Sequence, residues 1–201
     1  MKSLRMKTLI GAVAAGAVVL ASAAVGFAVV PNSLPGGTTV TAALAPSTDM
    51  TFVGVINGLN VTVSCTSFSA SGVVPAGTPY KMNLSAPPKI SGCTVSGFSA
   101  TIKTNSKNGK WALKVTKTAP YKLTLIMPKA GAVFTSSLVA GCKIIAGPTK
   151  AVKIKGSYDG TNTDQVTNAP IPVKATGCTA SPTSSTTATV VFTPSPGTPP
   201  F

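Results

Sequence analysis

The sequence predicts an all-β protein, an antiparallel β-sandwich of one or two similar halves behind an N-terminal signal or anchor helix. Three observations lead there. Beyond its first thirty residues the chain is mostly Thr, Ser, Val, Ala, Gly and Pro, and only 10% of all residues are charged. β-Branched residues suit a pleated surface, and Gly and Pro mark turns. Short runs of in–out alternation recur between those turn signals. Four cysteines, Cys65, Cys93, Cys142 and Cys178, form an even set beyond an export signal, which points to an oxidising compartment and two disulfides.

The N-terminus sets the compartment. Lys2, Arg5 and Lys7 precede an apolar run from Leu9 to Val30, the pattern of a secretory signal peptide. Small residues at Ala21-Ser22-Ala23 and Gly26-Phe27-Ala28 offer cleavage sites. About 20 apolar residues can span a bilayer, so an uncleaved single-pass anchor is the second reading. The run is rich in Ala and Gly and ends in cleavage-like residues, which favours removal. In either case the folded part lies outside the cytoplasm, secreted or in the cell envelope. The chain then divides into 1–28 (signal peptide or anchor), 29–50 (flexible linker), 51–193 (sandwich) and 194–201 (Pro-rich tail). The sandwich has approximate halves 51–127 and 128–193.

The strands follow in order. Thr51–Ile56 and Leu59–Cys65 flank Asn57-Gly58, a dipeptide favoured in two-residue hairpins. Tyr80–Ser85, Phe98–Thr104, Lys110–Thr118 and Tyr121–Met127 come next. Asn105-Ser106-Lys107-Asn108-Gly109 forms a turn within this series. In the third of these, Trp111, Leu113 and Val115 share one face while Lys110, Lys114 and Thr116 share the other. Residues 130–140 read equally as a short helix or a loop. Cys142–Ala146, Lys150–Lys155, Ile171–Ala175 and Thr186–Thr193 complete the set.

Two segments resemble one another. Ala86-Pro87-Pro88-Lys89-Ile90-Ser91-Gly92-Cys93-Thr94 is echoed by the stretch from Ala169 to Thr179, which ends in Gly177-Cys178-Thr179. Each half also carries one earlier cysteine, Cys65 in the first and Cys142 in the second. The simplest reading is two similar halves, each closed by its own bridge, Cys65–Cys93 and Cys142–Cys178.

Ile126-Met127-Pro128-Lys129-Ala130-Gly131-Ala132, Gly141-Cys142-Lys143 and Asn168-Ala169-Pro170-Ile171-Pro172-Val173, together with the Ala-rich signal, resemble a group of small secreted Ala/Thr-rich actinobacterial proteins. That group has no assigned activity. The resemblance implies export and a β-rich fold, and it brings no site residues with it.

Catalytic machinery is scarce. The chain has no His and no Glu, so general acid–base chemistry lacks its commonest agents. A serine nucleophile needs a base beside it, and no Ser-x-x-Lys occurs. Only Asp49, Asp159 and Asp164 carry carboxylates, so a paired-carboxylate hydrolase site is not expected. Asp159-Gly160-Thr161-Asn162-Thr163-Asp164 alternates oxygen ligands without the terminal Glu of a calcium loop, and reads as a polar hairpin turn. No catalytic residue, metal site or cofactor is expected. Asn60-Val61-Thr62 and Asn83-Leu84-Ser85 match the glycosylation sequon by chance.

Charge is the feature with functional reach. Without Lys2, Arg5 and Lys7 the chain keeps 14 Lys against three Asp, a net charge of +11, which favours contact with polyanions. Lys103, Lys107, Lys110, Lys114, Lys117 and Lys122 fall on adjacent strand candidates and their turn. Paired as a meander, those strands would place most of these lysines on one outward face. Lys143, Lys150, Lys153 and Lys155 form a second group. The expected function is a weak, non-catalytic binding module for an anionic cell-wall polymer or lipid headgroups. The alternative is a passive structural surface protein, membrane-tethered if the anchor is kept, and the distant third is an enzyme. No sequence-specific nucleic-acid readout is expected, since stacking aromatics are few and Arg is absent beyond Arg5.

Overall fold

Alternating β-branched residues and closely spaced turns leave sheet pairing as the way for this backbone to satisfy its donors and acceptors. The computed structural model describes residues 35–77, 81–159 and 163–194. The expected signal segment 1–28, the first part of the linker, Tyr80, Gly160–Asn162 and the tail beyond Pro194 lie outside them. Thirteen strands occur among the described residues: β1 (Thr39–Leu44), β2 (Met50–Ile56), β3 (Leu59–Val73), β4 (Lys81–Asn83), β5 (Lys89–Val95), β6 (Phe98–Thr104), β7 (Ala112–Val115), β8 (Lys122–Met127), β9 (Ala132–Ser136), β10 (Lys143–Ala146), β11 (Val152–Tyr158), β12 (Thr163–Thr176) and β13 (Thr183–Pro194). All their pairings are antiparallel. No helix among the described residues is long and apolar enough to cross a membrane.

The expected sandwich is corrected to a barrel. Strands β13, β2, β3, β5, β6, β9, β10 and β12 pair in that order, and β12 pairs back onto β13. This eight-stranded ring has no free edge, which removes the aggregation hazard an open sheet carries. Closure depends on Ser185↔Val53 and Thr186↔Phe52, contacts between the two ends of the chain. Local alternation is the same in a sandwich and in a barrel, so it does not register such contacts.

The ring is assembled twice over in the same order. Strands β2, β3, β5 and β6 are followed around it by β9, β10, β12 and β13. Cys65–Cys93 staples β3 to β5, and Cys142–Cys178 staples the segments flanking β10 and β12. Gly92 and Gly177, each just before the second cysteine of its pair, take positive φ of 63° and 76°. A Cβ on Gly92 would collide with the Thr66 hydroxyl, so glycine is required there on two grounds. The Asn57-Gly58 turn also forms as read: both residues have positive φ, and Ile56 pairs with Leu59.

The five remaining strands extend this ring. β3, β12 and β13 are 15, 14 and 12 residues long, and their ends run past it. β1 lies between the extensions of β3 and β13, in line with β2. Strands β11, β8, β7 and β4 continue from β12, and the single bridge Gly72↔Leu84 returns the series to β3. Two apolar clusters result. The smaller, around Val63, Val95, Ile102 and both Cys65 and Cys93, fills the disulfide end. The larger, around Phe68, Trp111, Leu123, Ile154 and Phe192, fills the extended end.

Several sequence-based expectations change. Residues 39–44, read as part of the linker, form β1. Residues 130–140 hold a strand, β9, in place of a helix or loop. β3 runs eight residues past Cys65, β5 was not marked as a strand, and β12 begins at Thr163, well before Ile171. The meander of Phe98–Thr104 with Lys110–Thr118 does not form. β6 pairs with β5 and β9, whereas β7 pairs with β4 and β8. The turn at Asn105–Gly109 leads into a crossover between β6 and β7, which do not pair. Asn105 anchors it, its Nδ2 donating to the Ala130 carbonyl at 2.9 Å and its own carbonyl accepting from Trp111 Nε1 at 2.9 Å.

Candidate functional site

The crossover redistributes the lysines. Lys103 is carried outward on β6 and belongs to the barrel wall, in the same row as Val133, Ile145 and Lys174. Lys107 and Lys110 are exposed on the crossover, and Lys117 is exposed beyond β7. Of the six lysines, most of which were expected to share a face, only Lys114 and Lys122 are carried on adjacent paired strands.

A different lysine face forms in their place. On the outer surface of β4, β7, β8 and β11, Lys81 stands opposite Lys114, Lys114 opposite Thr124, and Thr124 opposite Lys155. One step along, Lys122 stands opposite Ser157, and Lys153 stands opposite Ile126. All five lysines are exposed. Directly opposed residues lie about 5 Å apart and diagonal ones about 7–8 Å. Lys81 and Lys114 therefore form a like-charge cross-strand pair, which is unfavourable by itself, and Lys122 and Lys155 form a diagonal one. No Asp or Glu occurs in β4, β7, β8 or β11. Sequence reasoning placed Lys153 and Lys155 in a separate group and passed over Lys81. The signal for all three was their alternation with Met82, Val152 and Ile154, which are buried.

Inside the barrel lies an apolar cavity of about 140 Å³ that bridges the two cores. Val61 and Val63 line it at the disulfide end, Trp111 and Phe192 at the extended end. Among the described residues one ionisable side chain reaches it, that of Asp164. Asp164 was expected in an exposed polar turn. The turn itself is closed by Asp159 and Thr163, the Thr163 amide donating to Asp159 Oδ1 at 3.0 Å. Asp164, however, begins the inward row that continues with Val166, and it is 2% exposed. Its Oδ1 has no hydrogen-bond partner. Burial, and after it the neighbouring Asp159, pushes this carboxyl group up from 3.8 to about 7. Tyr158, opposite it on β11, is also raised well above its ordinary value, by burial first and then by the two aspartates. Among the described residues no three His, Cys, Asp or Glu side chains are grouped as a metal site would need.

The carboxyl group is seated over Gly156. A Cβ at that position would come within 2.6 Å of Asp164 Cγ and collide with both of its oxygens. Gly156→Ala is expected to lower stability by about 1–3 kcal/mol through this overpacking, read as a fall in the denaturant midpoint at unchanged m-value. The alternation of Asp164 with Val166 was the available signal for this site. It was masked by the turn residues just before it.

No family model, curated protein or solved structure matches the chain, so function is argued from site chemistry alone.

Proposed function

We propose that this is an exported, non-catalytic protein that binds anionic polymers of the cell envelope through the lysine face of β4, β7, β8 and β11. The observation that carries the reading is the opposition of Lys81 and Lys114, with Lys122, Lys153 and Lys155 beside them and no carboxylate on those strands. A polyanion lying across the face relieves the repulsion that the bare face retains. Lysine binds as a point charge without the planar fork of arginine, so such contacts are diffuse and unselective in geometry. The two disulfides accord with an oxidising compartment. The lack of His and Glu supports binding over catalysis. A passive structural role is the competing reading.

The test is salt-dependent retention of the exported chain on heparin and on phosphatidylglycerol vesicles. With about four lysines neutralising a densely charged chain, affinity should fall roughly 100-fold between about 50 and 200 mM salt. Lys81→Gln, Lys114→Gln, Lys122→Gln and Lys155→Gln combined should abolish most retention. Each lysine near an anionic surface contributes about 1 kcal/mol. The control replaces Lys103, Lys143 and Lys174 on the barrel wall by Gln and should lose far less. Losses in proportion to the lysines removed, four against three, would show that net charge alone, and no particular face, governs adhesion.

A further inference from the structure

The cavity is narrow for its length. Its wall draws on β3 from Val61 to Ala70 and on β12 from Asp164 to Val173, stretches of about 30 Å at about 3.3 Å per residue. Yet its volume is about 140 Å³, close to a space that holds one benzene ring. A slender molecule suits it better than a round one. Among the described wall residues Val53 is exposed, at 42%, and it belongs to the outward row with Thr62 and Ser185; at the seam between β2 and β13 the inward row is Phe52 with Thr186. Asp164 lies farther along the barrel. It pairs with Val190, and Val190 is four residues, or about 13 Å, along β13 from the Thr186↔Phe52 contact at that seam.

The polar demand at the inner end is specific. Asp164 Oδ1 is buried without a partner, a condition that costs free energy until a hydrogen bond is made. Two elements are packed against it, and one of them presents groups that titrate. β11 presents Tyr158 opposite it, with Asp159 following at the strand end, and Gly156 beneath it adds none. β13 presents only Val190 and Phe192, the latter in edge contact with Tyr158 at 6.2 Å between ring centres. Among the described residues no lysine lines the cavity, so none of them balances an ionised carboxylate from within it. A neutral carboxyl group has one hydrogen to donate, and the matching ligand group is an acceptor.

We propose that the barrel interior binds a slender aliphatic carbonyl compound, a medium-chain ketone or ester, its chain lying in the apolar cavity and its carbonyl oxygen accepting a hydrogen bond from Asp164. Apolar burial supplies most of the affinity. The carboxyl group selects for the carbonyl, because an alkane leaves that donor unpaired in an apolar site.

Trp111 is the only tryptophan and lines the cavity, so its emission reports occupancy in the unmodified protein. The exported chain is titrated with 2-heptanone, n-heptane and heptylamine at about pH 5 and pH 9. Trp111 emission is the readout, and the ligand-induced rise in Tm is the second measurement. 2-Heptanone should bind at least about ten-fold more tightly at pH 5 than at pH 9, and more tightly than heptane at pH 5. Heptane affinity should not depend on pH. Asp164→Asn keeps a donor amide, so it should retain ketone binding and lose the pH dependence. Asp164→Leu should bind ketone and alkane equally. Equal affinity of the native protein for ketone and alkane at pH 5, or no change in emission and Tm with either, would overturn the proposal without recourse to a variant. Tightest binding of heptylamine at pH 9 would overturn it in favour of an ammonium ligand on the ionised carboxylate.

Discussion

Removing the Cys65–Cys93 and Cys142–Cys178 bridges together is expected to leave the chain largely unfolded at about 37 °C. The bridges close loops with sequence separations of 28 and 36 residues. Loops of that length give about 3.5–4 kcal/mol of stabilisation per bridge through the reduced entropy of the unfolded chain. Net stability of a domain is about 5–15 kcal/mol, so the pair accounts for much of it. Their placement raises the cost further. Cys65 is fully buried and Cys93 nearly so, both in the smaller core, and Cys→Ala there adds lost packing. The larger core has no bridge among its members. Single-bridge variants should each lower Tm by about 7–16 °C, and the double variant should show no cooperative transition by circular dichroism. A double variant that melts within a few degrees of the native protein would show that closure of the barrel, with no help from the bridges, holds the fold.

The strands themselves were legible because each leaves a local mark. Phe98–Thr104 is β6 to the residue, and Asn57-Gly58 makes its hairpin, since both depend only on neighbouring residues. The elements that were missed lack such a mark. β5 carries Gly92 at its centre, where alternation breaks: Cys93 and Val95 are buried, while Ser91 and Gly92 are exposed. β9 has every residue half-buried, so no in–out pattern exists to be read. β1 completes its pairing only against β3 and β13, partners about 30 and 150 residues away in sequence by the paired positions.

Closure and site share one reason for being hidden. The crossover at residues 105–110 has the composition of a tight turn, yet Asn105 uses it to cap Trp111 and Ala130, which sends β7 to β4. That single choice splits the expected lysine group and brings Lys81 from thirty-three positions away to face Lys114. The bridge pairing, by contrast, was visible in Gly92-Cys93-Thr94 and Gly177-Cys178-Thr179, where a positive-φ glycine precedes the second cysteine of each bridge. Asp164 was hidden by its neighbours. An aspartate five residues after another, across Gly-Thr-Asn-Thr, has the composition of a solvated loop, and only the pairing of Tyr158 with Asp164 turns it inward.

That inward turn gives the second large effect: the protein should be most stable in acid and should lose about 4 kcal/mol between about pH 4 and pH 8. The folded state holds the Asp164 proton up to about 7, whereas the unfolded chain releases it near 3.8. Over that interval the native state binds more protons than the unfolded one, so stability falls as pH rises. The contribution is fully present below about pH 4 and is gone once the pH has passed about 7. Asp164 is 2% exposed, so solvent screening takes little from the effect. The direction is the reverse of that produced by a salt-bridged aspartate, whose folded value is depressed. Tyr158, also raised by burial, adds a second decline at strongly alkaline pH with the same sign. The measurement is urea unfolding from pH 4 to pH 9, with the denaturant midpoint read at constant m-value. Asp164→Asn should lower the acid plateau, because a buried amide replaces the carboxyl group, but its midpoint should be level across the interval. A native midpoint that is level or rises from pH 4 to pH 8 would mean that the folded carboxylate finds solvent or a donor, and that Asp164 is not the neutral group of the barrel interior.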